Sequence, residues 1–78
     1  MKYSFFLNNA KINQNVQIKS LNLPLCFQKR LSSLGFFQKA VLRVLSVAPF
    51  LGMLQIATPF GIFCIRQEVA KYIEVTNV

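Results

Sequence analysis

The side chains suited to chemistry near neutral pH are few in this sequence: two thiols, Cys26 and Cys64, and two carboxylates, Glu68 and Glu74. Histidine and aspartate are both absent. General acid–base catalysis uses groups held in mutual reach and tuned toward neutrality, most often His, Asp or Glu. Two glutamates six residues apart on a polar tail make no such pair, and neither thiol has an imidazole to activate it. Two thiols also fall short of a four-ligand zinc site. The glycines, Gly35, Gly52 and Gly61, are too dispersed to cradle a phosphate. The sequence points away from an enzyme, and we expect no catalytic residue, no metal site and no cofactor.

Charge is the next signal. Nine Lys and Arg face two acids, a formal net charge of +7 over 78 residues, and no acid precedes Glu68. Such a field attracts polyanions, either anionic lipid headgroups or nucleic-acid phosphates. The chain is also 54% hydrophobic with a mean hydropathy of +0.44, which favours lipid, since nucleic-acid-binding arms are usually polar. Lys29, Arg30, Lys39 and Arg43 are the cations expected at a membrane surface, and nucleic acid is the less favoured partner.

These residues need elements to position them, and the hydropathy pattern divides the chain into four. Residues 1–27 are basic and weakly ordered or form short strands. The apolar core of the start, Phe5 to Leu7, is too short for a cleaved signal. Ile12, Val16 and Ile18 keep one parity and Leu21, Leu23, Leu25 and Phe27 the other, an alternation typical of strands with a break near Ser20. Residues 28–43 switch to helical spacing, with Leu31, Leu34 and Val41 on an apolar face and Lys29, Ser33, Lys39 and Arg43 on a polar one. A basic amphipathic helix of this kind suits a bilayer interface.

Residues 44–65 contain no charge, and 15 of the 22 are hydrophobic. As a helix the segment would rise roughly 33 Å, against about 30 Å of bilayer hydrocarbon. Pro49 and Pro59 would kink it, with Thr58 placed to satisfy a freed backbone group, and a helical hairpin broken at the prolines is the competing form. Ala48/Gly52 and Ala57/Gly61 have the spacing of small residues at helix–helix contacts, and Gln55 could bond to a partner helix. Residues 66–78 read as a short polar helical tail, with Glu68, Lys71 and Glu74 at ion-pair spacing.

The expected fold is mostly α: a single membrane-associated helix, kinked at proline or folded as a hairpin, after a weakly ordered basic segment. The expected function is a non-enzymatic anchor or accessory subunit of a membrane complex. Its partners would be an anionic bilayer and another transmembrane helix. Four cations before the span against Arg66 and Lys71 after it place the N-terminus in the cytosol, as a single-pass protein. The alternatives are a peripheral basic module contacting nucleic acid, and a translated reading frame without selected function.

Overall fold

In the computed structural model, which describes residues 3–48 and 50–78, the chain is built on strands rather than on a long helix. Among these residues six strands form one antiparallel sheet: β1 (Ser4–Phe6), β2 (Asn15–Leu21), β3 (Val41–Ala48), β4 (Met53–Thr58), β5 (Gly61–Arg66) and β6 (Ile73–Asn77). Their spatial order is β1-β6-β2-β3-β4-β5, so the last strand lies between the first two. Two helices interrupt them, α1 (Leu25–Ser33) and the single turn α2 (Gln67–Ala70), and a 3-10 turn at Leu7–Asn9 follows β1.

The expectation of a mostly α, membrane-spanning chain is overturned. Among the described residues no helix is long and apolar enough to cross a membrane. The uncharged run of residues 44–65 instead supplies most of β3, all of β4 and nearly all of β5. Leu42 and Val44 on β3, Leu54 and Ile56 on β4, and Ile65 on β5 are buried, while Arg43, Ser46, Gln55 and Cys64 between them are exposed. This is the period-2 pattern of a sheet with one face inward. A register shift between Val44 and Ser46 turns that pattern by one residue, which disguises it in the sequence.

The turns explain the prolines and glycines. Thr58 pairs with Gly61, leaving Pro59 and Phe60 as a two-residue turn. Proline pre-sets φ for the first turn position, and Gly61 takes a φ of +145°. Pro59 is therefore a hairpin corner and not a helix kink. The kink expected at Pro49 lies outside the described residues. Gly52 closes the β3–β4 connection with a φ of +62°.

The basic helix expected over residues 28–43 also ends early. α1 stops at Ser33 in a Schellman motif: the Phe36 N–H donates to the Leu31 carbonyl at 2.9 Å and the Gly35 N–H to the Ser32 carbonyl at 3.1 Å. Gly35 takes a φ of +104°, and a Cβ placed there would lie 2.7 Å from Thr58 Cβ. The helix end thus sits directly against the β4–β5 turn. Thr58 Oγ1 donates to the Leu34 carbonyl at 2.6 Å, satisfying one of the carbonyls that a helix end leaves over.

One core unites these parts. Leu7, Val16, Ile18, Phe36, Leu42, Val44, Leu54, Ile56, Ile73 and Val75 are fully buried and belong to a single apolar cluster. Strands from across the sheet meet there, so the sheet curls around its own inner face as a small open barrel. No buried side-chain polar atom among the described residues lacks a hydrogen-bond partner.

Candidate interaction surface

The groups with chemical potential are spread apart. Cys26 lies on α1 and Cys64 on β5, both exposed and free. Glu68 is on α2, and Glu74 on β6 accepts a hydrogen bond from Ser20 Oγ at 3.1 Å. Among the described residues no three His, Cys, Asp or Glu side chains gather as metal ligands. Lys71 Nζ stands 5.3 Å from the centroid of the Tyr72 ring, a cation–π distance.

The cations expected on one membrane-facing helix stripe are divided among three elements. Lys29 and Arg30 are on α1, Lys39 occupies a turn with a φ of +72°, and Arg43 is exposed on β3. A left-handed backbone at Lys39 is incompatible with a continuous helix through it. The residues expected to pack a membrane helix are dispersed too. Ala48 pairs with Met53, and Ala57 pairs with both Arg43 and Ile62. Gly52 and Gly61 serve turns. Gln55, expected to bond across to a partner helix, accepts from Ser46 Oγ at 3.1 Å on the neighbouring strand.

What the fold does bring together is apolar surface along α1. Pro24 opens this helix, its carbonyl accepting from the Phe27 and Gln28 N–H groups at 3.0 and 3.1 Å. Gln28 Nε2 then reaches back to the carbonyls of Leu21 and Leu23, at 3.1 and 2.7 Å, and holds the preceding loop against the helix. On one side of α1 this leaves a groove of about 390 Å³ lined by Leu23, Phe27, Val69 and Tyr72, with Glu68 and Lys71 at its rim. Phe27 and Tyr72 are each 45% exposed. On the other side of α1, Leu21, Leu25 and Phe37 line a smaller groove. Large apolar side chains gathered in a rimmed concavity are the usual mark of a binding surface. The sequence displayed Phe27 and Tyr72 only as members of separate segments, so nothing in it signalled that they share a groove.

A small, open antiparallel barrel with this strand order is an SH3-like fold. The family model for the FeoA domain matches residues 6–77, and the chain belongs to that family. The solution structure of a FeoA protein from Chlorobium tepidum is similar at a TM-score of 0.87 and 23% identity, over 95% of this chain and 70% of that one. A crystal structure described as an iron uptake regulatory protein (FeoA) is similar at 0.83 and 20% identity, over 97% of this chain and 99% of the other. A manganese-dependent transcriptional repressor reaches 0.88 at 18% identity, but there this chain spans only 41% of the other. No curated protein sequence matches.

This membership replaces the expected role as a single-pass membrane anchor or accessory subunit. The bilayer and the partner transmembrane helix fall with the helix that required them, as does a cytosolic N-terminus inferred from a span. Both alternatives are overturned as well, because residues 6–77 are a member of a known domain family rather than a nucleic-acid arm or an unselected frame.

Proposed function

We propose that this FeoA domain is a non-enzymatic docking module of an iron(II) uptake system, binding a protein partner through the groove beside α1. The relatives described as an iron uptake regulatory protein and as iron(II) transport protein A supply the setting. The observation that carries the reading is the groove itself, where Leu23, Phe27, Val69 and Tyr72 present apolar surface that the chain leaves uncovered. Aromatic side chains in such a concavity are favoured anchors for protein partners.

Iron, in this reading, is what the system moves and not what the domain holds. The donor set supports that: the sequence has no histidine or aspartate, and the exposed thiols sit on different elements. The test uses cells whose own FeoA protein has been deleted and which express this chain. Replacing Phe27→Glu and Tyr72→Glu together should reduce iron(II) accumulation to the level of the empty vector. Because both side chains are already half exposed, the urea midpoint of the purified variant should change little. Full accumulation by a folded double variant removes the groove from the function. Tight iron(II) binding by the purified wild-type protein removes the claim that it holds none.

A further inference from the structure

The sheet has two edges, and they differ. β1 is a three-residue strand, whereas β5 runs six residues in unbroken register from Met53↔Arg66 to Thr58↔Gly61. Natural edges are usually blunted by lysine, proline, a bulge or extreme shortness, since an open edge invites another strand. β5 has none of these: its sequence is Gly-Ile-Phe-Cys-Ile-Arg, charged only at its last residue.

The direction of its backbone groups follows from the ladder. The Gln67 N–H donates to the Gly52 carbonyl at 2.7 Å, one step beyond the last β4–β5 pair. Hydrogen-bonded pairs alternate along an antiparallel ladder. Ile65, Phe63 and Gly61 therefore bond to β4, while the open side receives the N–H and C=O groups of Ile62 and Cys64 and the N–H of Arg66, whose carbonyl caps α2. The side chains of these last three residues lie on the outer face and are exposed, Ile62 by 60%.

We infer that β5 accepts an extended segment of a partner protein as a seventh, antiparallel strand, and that this segment carries an acid opposite Arg66 and an apolar residue opposite Ile62. Main-chain hydrogen bonds supply affinity in such strand addition, and alternate side chains supply selectivity. Charge selects the occupant. A second copy of a chain with net charge +7 would bring Arg66 opposite Ile62, with no acid on either strand, whereas an acidic segment meets the excess positive charge of the whole domain. This surface is separate from the groove beside α1 and does not depend on it.

The probe is a capped threonine nonapeptide with Glu, Ser and Val at its third, fifth and seventh positions, placed to oppose Arg66, Cys64 and Ile62. A control peptide has Lys in place of Glu. In amide NMR spectra of the full chain under reducing conditions, the Glu peptide should shift Ile62–Arg66 and slow exchange at the Cys64 amide. Cys64→Pro removes an outward donor and leaves the β4 ladder intact, and should weaken binding about ten-fold. Ile62→Lys, which charges the edge without touching any backbone bond, should weaken it as well and serves if the proline variant does not fold. Arg66→Glu should reverse the preference between the two peptides. The proposal is overturned by shifts centred on the α1 groove, or by equal binding to wild type and edge variants. It is equally overturned by a peptide-free dimer that Cys64→Pro or Ile62→Lys dissolves, since the occupant would then be a second copy.

Discussion

Gly35 and Thr58 lie 23 positions apart in the sequence, and their contact joins the end of α1 to the β4–β5 turn. Gly35 is needed twice over, for a φ of +104° and for the absence of a Cβ against Thr58. We expect Gly35→Ala to destabilise by about 1–3 kcal/mol, the usual range for a non-glycine residue forced into a sparsely populated backbone region. Thr58→Ala should cost about 1 kcal/mol through the lost bond to the Leu34 carbonyl. Urea unfolding of the double variant should give less than the sum, because Thr58→Ala removes the Oγ1 that crowds the new methyl group, although the Cβ at 2.7 Å stays. A strictly additive result would show that the Thr58 Oγ1 is not what crowds a side chain at position 35. The sequence marks Gly35 only as a weak point in a helix. Its role as a helix terminator depends on Thr58, which no local pattern connects to it.

At the scale of elements, β3 to β5 explain both what the sequence disclosed and what it concealed. The alternation of Val16 and Ile18 was legible, and these residues are the buried face of β2. The register shift on that strand falls between Ile18 and Ser20, beside the parity change at Ser20 and Leu21. Residues 44–65 misled because their outward positions are Ser46, Gln55, Cys64 and glycines rather than charges, so two-sided strands read as one apolar run. A bulge near Leu45 then broke the parity that would have revealed them. Two leucines separate the two architectures by experiment. Leu51 is 78% exposed in the β3–β4 connection and Leu54 is 0% exposed on β4. Leu51→Ala should stay within about 0.5 kcal/mol of wild type, and Leu54→Ala should lose about 2–5 kcal/mol. Equal losses in a urea titration would contradict this placement of β4.

For the whole molecule, charge and topology act on stability in different ways. Nine cations and two acids on a radius of gyration of 11.1 Å repel one another, and the repulsion opposes the compact state. The urea midpoint should therefore rise when sodium chloride increases from 10 to about 150 mM, as the screening length falls to about 8 Å. An unchanged slope would attribute the gain to charge screening and not to a change in surface exposed. A midpoint that falls with salt would mean that attractive pairs outweigh the repulsion. The net charge itself was legible in the sequence, but its meaning was not. The fold distributes Lys29, Arg30, Lys39 and Arg43 over α1, a turn and β3, where a helix stripe was expected.

The order β1-β6-β2 sets the timing of assembly as well as the final shape. Ser4 pairs with Thr76 and Gln17 with the same Thr76, so β6 is the wedge that joins the two earliest strands. Until it arrives, β1 has no strand beside it and β2 has one open side. Local hairpins such as β3–β4–β5 can close early, since their partners are neighbours in the chain. The β6 ladder instead requires loop closure over almost the whole length described, which slows folding. A ribosome delivering this chain from its N-terminus therefore presents a ready-made meander first and the closing strand last. The interval between them is when β2 is exposed to unwanted partners.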